Sequence, residues 1–319
     1  MFKSKTRSER EHIMLLLTVA KLYWVENKPQ SEIAAAVGYS RPSISRLLAE
    51  ARERNMVQIR VGHPLERVMT LETELAERFT LDCVRVAVPD YATQGREVIG
   101  RLAADLVVER LKSDSVISIS NGRAVAATVE AMPQLRLPHA RVVQMIGSVG
   151  ATDVVVDSPE TCRNMATKLG ARYSALPVPL VVPTAEAASV LMKEEQVATT
   201  LELATRADIA LVGVGSVHDG HSGAILAAYE DEETARLLRR KNVVGHICAH
   251  HFARDGRHVP TPFCQRTLAV DLERIERIPL VIGVAWGQDK VAALQGALAG
   301  GYLSALVTDH QTAMTLLTT

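Results

Sequence analysis

One apolar run, IALVGV at 209–214, constrains the fold of this chain more than any other feature. A strand without polar alternation suits a sheet that is covered on both faces. Comparable runs predict strands at 84–88, 115–119, 141–146, 209–214, 244–249, 266–270, 280–285 and 304–308. Helical periodicity predicts helices between them at 96–112, 124–132, 158–169, 196–205, 230–240, 289–299 and 310–317. Strands that alternate with helices indicate a doubly wound α/β domain.

The segment before these strands has a different pattern, with three short helices predicted over residues 10–52. Gly38 suits the left-handed residue that ends the second helix, and Ser40 suits the cap of the third. Apolar residues at helical spacing (Ile44, Leu47, Leu48, Ala51) predict the buried side of that third helix. The alternating VQIRV at 57–61 predicts a short strand, comparable to the wing of a winged helix.

We therefore predict three parts: a helix-turn-helix (winged-helix-like) domain at 1–62, a linker helix at 63–82 and an α/β effector domain at 83–319. Two helices joined by a tight glycine turn are typical of DNA-binding proteins. The apolar side of the third helix leaves Arg41, Ser43, Ser45 and Arg46 facing outward near its start. The start of a recognition helix is the part that contacts base edges. The alternative is a plain three-helix packing unit with a solvated face.

The charge distribution agrees with a DNA-binding head. The whole chain has a formal net charge of zero, with 36 basic and 36 acidic residues. Residues 1–60 hold 11 Lys or Arg and 6 Glu, so the head is basic and the remainder is acidic. A basic head is expected to meet a polyanion, here double-stranded operator DNA.

The four cysteines form no CxxC pair, and the start of the chain lacks the pattern of a signal peptide. These features predict reduced thiols and a cytoplasmic protein. No apolar stretch is long enough to span a membrane, so no membrane partner is expected. No cofactor is expected either.

The head motifs resemble those of the SorC family of bacterial sugar-responsive regulators: QSEIA at 30–34, GYSRPSISRLL at 38–48 and AR at 51–52. Three body segments extend the resemblance in the order of the family: ADIALVGVGSV at 207–217, GVAWGQDK at 283–290 and GGYLSALVTD at 300–309. The resemblance implies a body with the fold of sugar-phosphate isomerases. It also implies a tetramer that binds DNA and is released, as a repressor would be, or reset by a phosphorylated sugar or polyol.

Four places are candidates for contact with this small carbohydrate effector. Ser120, Asn121, Gly122 and Arg123 connect a strand to a helix, where free N–H groups attract anions and an arginine can clamp phosphate. Gly147 and Ser148 resemble a second ligand loop of the family. Lys290 matches a lysine that contacts the ligand in the family, and Asp255 matches an Asp-Gly turn. For each place the alternative is an ordinary turn or a solvated surface residue.

Other functions are weighed against this one. The chain could be a sugar-phosphate isomerase or deaminase with an accessory DNA-binding head, using Asp255 or Asp219 as a base or Lys290 as a Schiff base. No nucleophile–base constellation can be read from the spacing, so we expect a regulator and no catalytic residues. The chain could also be a purely architectural DNA binder, but such a protein would not need several loops that are suited to bind anions.

His246, Cys248 and His250 alternate on a predicted strand and could hold zinc. We expect a structural cluster there and no metal site.

Overall fold

The computed structural model of the chain describes residues 3–54, 56–57, 64–87, 95–150, 157–218, 222–223, 226, 229 and 231–319. The chain divides into two units, Met1–His63 and Pro64–Thr319. No helix among the described residues has both the length and the apolar character needed to cross a membrane.

The first unit is a small helical bundle. Its helices are α1 (Lys3–Ala20), which continues into a π-helical turn (Lys21–Val25), α2 (Gln30–Val37) and α3 (Arg41–Glu53). Gly38 ends α2 in the left-handed region, with φ at 72°, and the side chain of Ser40 caps α3 by accepting from Ser43 N. The core of the unit includes Leu16, Ile33, Ile44, Leu48 and Ala51. The helix-turn-helix arrangement is as the sequence predicts. The predicted strand at 57–61 lies, apart from Val57, outside the described residues.

The second unit is built on a seven-stranded sheet with strand order β1-β10-β9-β5-β2-β3-β4, in which every paired neighbour is parallel. Its strands are β1 (Cys83–Ala87), β2 (Val116–Ile119), β3 (Arg141–Gln144), β4 (Arg172–Ser174), β5 (Ile209–Gly213), β9 (Leu280–Val284) and β10 (Ala305–Asp309). Three further strands, β6 (Gly215–Ser216), β7 (Val243–Ile247) and β8 (His250–Ala253), form a separate antiparallel sheet.

Helices cover both faces of the large sheet. The helices of this unit are α4 (Pro64–Phe79), α5 (Gly95–Arg110), α6 (Arg123–Ala131), α7 (Ser158–Leu169), α8 (Ala185–Leu191), α9 (Glu195–Thr205), α10 (Glu232–Arg240), α11 (Leu272–Ile275), α12 (Val291–Ala299) and α13 (His310–Thr318), and α10 packs on β7 of the small sheet. The alternation of side chains along β5 shows the two layers. Ile209 and Leu211 belong to a core shared with α5, α6 and α7, whereas Ala210 and Val212 belong to a core shared with α4, α9, α12 and α13. The doubly wound prediction is confirmed.

Several sequence predictions differ from the structure. The predicted strand at 266–270 is wrong: only isolated bridges form there, Thr267 with Val181 and Ala269 with Ile146. The strand predicted at 244–249 ends at Ile247, and its last two residues form a turn. The helix assigned to a linker, α4, packs its Val68 and Leu75 into the core of the second unit. The sequence predicts none of the short elements β4, β6, β8, α8 and α11, which have seven residues or fewer.

Candidate functional site

The first candidate surface is the exposed side of α3. Arg41, Ser45 and Arg46 are exposed, while Ile44 and Leu48 on the opposite side are buried. Within the described part of the chain, neither arginine has an acidic partner, so both guanidinium groups remain available to an outside anion. The sequence placed these side chains outward, and the structure agrees.

Ser43 has a different position from the other three predicted DNA contacts. It is half-buried, and its hydroxyl lies 2.8 Å from the Ser40 hydroxyl. Ser43 N also donates to Ser40 Oγ at 3.4 Å. Ser43 therefore takes part in the cap that begins α3, and its first role is to fix the start of the helix.

The second candidate site lies in the α/β unit, where the strand order reverses. From β2 the chain proceeds to β3 and β4 on one side, then returns to β5 on the other side of β2 and continues to β9 and β10. In open α/β sheets, loops leave such a reversal in opposite directions, so a ligand crevice is expected at the carboxyl ends of the strands. Ser120 closes the bottom of the crevice: its Oγ accepts from Gly213 N at 3.3 Å, and its own N donates to Leu211 O at 3.1 Å.

The β2–α6 loop supplies one wall of the crevice. Gly122 has φ at 107°, which favours glycine, and its carbonyl accepts the first hydrogen bond of α6, from Ala126 N. The amide Nδ2 of Asn121 is buried and has no partner among the described residues. A buried donor without a partner is costly and often marks a ligand contact.

The β9–α12 loop supplies the facing wall. Gly287 has φ at 103°, and its N–H donates at 2.9 Å both to Asp309 Oδ2 and to Thr312 Oγ1. These bonds hold the loop so that the half-buried Lys290 points inward, where its Nζ donates to Ser216 Oγ at 3.1 Å. Ser216 is the last residue of β6, shortly after β5, and sequence reasoning missed it as a partner. His218, also on this side, bonds Asp289 O at 3.1 Å.

The electrostatics of this crevice favour an anion. Burial lowers the pKa of Lys290 below its ordinary value; the negative charge of Asp289 raises it, and the positive charge of Arg123 lowers it. The positive charge of Arg123 is therefore felt at Lys290, so both cations contribute to the potential at this edge of the sheet. Cations held together without a full set of counter-charges form a natural phosphate site.

The structure does not bring the remaining effector candidates into this group. Ser148 Oγ donates to Asp157 Oδ2 at 2.5 Å, and Val149 N donates to Asp157 Oδ1 at 2.9 Å. A Cβ on Gly147 would lie 2.5 Å from Pro179 O, so this glycine allows two backbone segments to pass closely. Gly147 and Ser148 therefore lie at the end of β3, one strand beyond β2, where Ser148 lines a separate cavity with Gln144, Arg163 and Tyr173. Their role as effector contacts stays a prediction.

Asp255 lies in a tight turn after β8. Its Oδ1 accepts from Arg257 N at 3.1 Å, and the neighbouring Gly256 packs against Gly300 at the carboxyl end of α12. Lys290 lies at the opposite end of α12. The turn interpretation of Asp255 fits this arrangement, and an effector contact shared with Lys290 does not.

Two further polar residues near the strand ends, Gln144 and Asp208, form hydrogen bonds within the fold. Gln144 Oε1 accepts from Tyr173 Oη and Leu176 N, and its Nε2 donates to Ile146 O. Asp208 Oδ2 accepts from Val116 N at 2.8 Å and so ties the starts of β5 and β2 together. Asp219, weighed in the sequence as a base, lies outside the described residues.

The predicted histidine–cysteine face is not formed. Cys248 and Ala249 have φ at 49° and 64° and make the two-residue turn between β7 and β8. His246 and His250 consequently lie on different strands, and Cys248 does not join them. His246 is packed over Gly215, and its Nε2 bonds Ser222 O at 3.1 Å. Burial lowers the pKa of His246 to about 3, with a further contribution from His251.

Comparison with known proteins identifies the family. Residues 63–318 match the family described as "Putative sugar-binding domain". The chain is 31% identical to the deoxyribonucleoside regulator of Bacillus subtilis over 311 residues, which cover 97% of this chain and 98% of that protein. It is 29% identical to the sorbitol operon regulator of Klebsiella pneumoniae over 315 residues, which cover 96% and 98%. The chain belongs to the SorC family of sugar-binding transcriptional regulators.

Structural comparison agrees over both units. The crystal structure of the full-length sorbitol operon regulator SorC from Klebsiella pneumoniae superposes with a TM-score of 0.75, at 28% identity, over 96% of this chain and 99% of that one. As a member of the SorC family, the chain is a transcriptional regulator that binds DNA and responds to a sugar-derived effector. The isomerase or deaminase alternative is not supported, because the close relatives are named as regulators.

Proposed function

We propose that this regulator is controlled by a phosphorylated sugar or polyol that binds in the crevice between β2 and β5. The proposal is supported by the buried amide of Asn121, which has no partner among the described residues, and by the electrostatic effect of the adjacent Arg123 on the half-buried Lys290. A phosphate group would relieve the repulsion between the two cations, and the hydroxyls of a sugar would satisfy the amide.

The surrounding backbone supports the same ligand class. The first N–H groups of α6 open into the crevice after Gly122, and a helix start favours negative charge. Lys290 rests on Ser216, a neutral hydroxyl, so its charge is not already neutralised at that contact. An anion that binds there gains a charge-assisted bond without displacing an ion pair.

We further propose that α3 reads the operator through Arg41, Ser45 and Arg46. Exposed arginines at the start of a recognition helix can bond guanine at two points in the major groove. Two such helices on a palindromic operator require at least a dimer, and the family resemblance favours a tetramer that acts as a repressor. Free thiols at all four cysteines and a DNA partner favour the cytoplasm.

The DNA side is tested by fluorescence anisotropy with the full-length chain and the promoter fragment next to its own gene. We expect Arg46→Ala to weaken binding by about 1–3 kcal/mol if the side chain reads a base, with lower specificity against random duplex. The matched control is Arg206→Ala, which removes one exposed arginine from the α/β unit, where Arg206 pairs with Glu202. Equal affinity for Arg46→Ala and Arg206→Ala would contradict the assignment of α3.

The effector side is tested with a panel of pentose, hexose and polyol phosphates and their unphosphorylated parents. A ligand at 100 times its Kd stabilises the protein by about 2.7 kcal/mol, which a thermal-shift assay detects. The same compound should change the anisotropy of bound promoter DNA, because an effector acts through different affinities for two states. Turnover of any panel member, or a preference for the unphosphorylated parents, would refute the proposal.

A further inference from the structure

A second polar cluster lies in the α/β unit, outside the effector crevice. It consists of His250 at the start of β8, His258 after the following turn, and Cys264 in a short 3-10 turn. The possible ligand atoms of these three side chains all lie within 4.8 Å of one another. The set was not visible in the sequence, because the residues are separated by 8 and 6 positions and come from three different local structures.

We propose that His250, His258 and Cys264 form a binding site for a borderline-soft divalent ion, of which Zn²⁺ is the best match. Two imidazoles and one thiolate are a donor set that zinc prefers. Three atoms within 4.8 Å of one another have a common point no more than about 2.8 Å from each. Small side-chain rotations would shorten this to the roughly 2.0–2.3 Å of zinc–nitrogen and zinc–sulfur bonds.

The unsatisfied nitrogens of the cluster are the independent sign of a ligand. His250 is only 6% exposed, and both of its ring nitrogens are buried without a partner among the described residues. His258 Nε2 is buried and unpartnered in the same sense. Buried polar atoms normally have partners, and an ion would satisfy a nitrogen of each ring at one time.

The sulfur is prepared to act as a ligand. Burial raises the pKa of the Cys264 thiol, but the imidazoles of His250, His251 and His258 outweigh this effect and hold the pKa far below its ordinary value. The Cys264 N–H bonds Thr261 Oγ1 at 3.1 Å, and the Thr261 hydroxyl donates to Cys264 Sγ at 3.2 Å. These bonds fix the sulfur in place.

His251 supports the site from one side. Its Nδ1 lies 4.0 Å from Cys264 Sγ, and its Nε2 lies 2.8 Å from Ser222 Oγ. With Nε2 accepting from the serine, Nδ1 carries the proton and faces the sulfur. His251 is therefore a positioning residue that supports the thiolate. The three ligands leave a fourth position of the zinc ion open to water or to a small ligand.

The test uses the full-length protein after treatment with a chelator. Zn²⁺ is titrated in competition with a chromophoric chelator, and Co²⁺ is added separately as a spectroscopic probe. We expect one equivalent of metal per chain and, with Co²⁺, a thiolate-to-metal charge-transfer band. Cys264→Ser should abolish that band. The loss of Zn²⁺ affinity should exceed the roughly 10- to 100-fold that a change outside the ligand set costs, which is the range expected for His251→Gln.

Matched controls separate ligation from folding. Cys248→Ser removes a buried thiol from the β7–β8 turn, and His139→Gln removes an exposed histidine; both should keep the band and the affinity. If Cys264→Ser does not fold, His258→Gln is the second variant, because His258 is only half-buried. A Co²⁺ spectrum without the thiolate band in the wild-type protein overturns the proposal. The proposal is also overturned if Zn²⁺ does not slow the alkylation of Cys264, because the Cys264 sulfur would then be a reactive thiolate that does not bind the metal.

Discussion

Replacing Lys290 with glutamine separates two effects of its positive charge. One is a loss of stability in the effector-free protein, and the other is a gain in affinity for an anionic ligand. Without effector, Lys290 is partly removed from water and lies in the field of Arg123, and both effects disfavour its charge. Glutamine removes the charge and keeps a polar side chain of similar size, one atom shorter than lysine. We therefore expect the free energy of unfolding of the effector-free protein to stay the same or to rise.

The same substitution should weaken binding of a phosphorylated ligand. A hydrogen bond to a charged group contributes about 1.5–3 kcal/mol, which corresponds to a loss of about 10- to 150-fold in affinity. Arg123 is more exposed, so Arg123→Gln should cost less, about 1 kcal/mol or below. Isothermal titration calorimetry with the sugar phosphates of the panel, and with inorganic phosphate, measures both changes.

The pH dependence provides an independent check on the role of Lys290. Its pKa in the effector-free protein lies below the ordinary value, and the protonated form is the one that attracts phosphate. Affinity should be highest between the second pKa of a phosphate monoester, about 6, and the lowered pKa of Lys290. It should fall as the pH rises through the lysine pKa, before the ordinary lysine value of about 10.5 is reached. Lys290→Arg should flatten this decline, because arginine stays protonated.

Two results would refute this reasoning about Lys290. One is a Kd for sugar phosphate within about twofold of the wild-type value in Lys290→Gln, well under the loss that a charged hydrogen bond implies. The other is an equal loss for the unphosphorylated parent sugar, which would mean that the lysine supports the shape of the crevice and not the charge of the ligand.

Three further predictions concern stability. Gly100→Ala should destabilise the protein by about 1–3 kcal/mol despite the better helix propensity of alanine, because its Cβ would lie 2.6 Å from Ala127 O; Gly95→Ala, in the same helix and with open space around it, is the control in urea unfolding. Ser40→Ala should cost about 0.5–2 kcal/mol by removing the α3 cap and should also weaken promoter binding; unchanged unfolding and anisotropy would contradict this. Stability should fall as the pH drops from about 6.5 towards 3, since only the unfolded chain protonates His246 in that window; His246→Gln should show a shallower acid decline, and identical pH curves would contradict the burial argument.

The sequence predicted the large sheet well, because a strand buried on both faces needs apolar side chains at consecutive positions. It predicted the helix-turn-helix for a similar reason: Gly38 and Ser40 encode the turn and the cap locally. The same logic failed at 266–270. That run is apolar because it is buried, but its backbone bonds separate partners, such as Leu180 O and Met145 O, instead of one neighbouring strand. Residue type predicts that a segment is buried, but it does not predict whether the segment pairs with one neighbouring strand in a regular pattern of hydrogen bonds.

The residues of the candidate sites also differ in how far the sequence alone predicts their surroundings. Asn121 and Arg123 are candidates because they follow a strand at the edge where parallel strands end, and Lys290 is a candidate because it matches the ligand-contacting lysine of the family. All three assignments stay predictions. Ser148 and Asp255 also lie in loops, but their hydrogen-bond partners, Asp157 and Arg257 N, were not evident from spacing. The sequence could not predict the proposed set of metal ligands, because the turn at 248–249 and the bend before His258 are what bring the three side chains together.

The packing of α12 also has a mechanical consequence. The helix has nine residues and spans about 13 Å. Lys290 precedes it at one end, Gly256 abuts Gly300 at the other, and between them a Cβ on Gly296 would lie 2.7 Å from Ala253 O. Where main chain rests on main chain, no rotamer is available to absorb a displacement. If ligand binding displaces the end of α12 next to Lys290, the β7–β8 hairpin at the other end should therefore move by nearly the same distance.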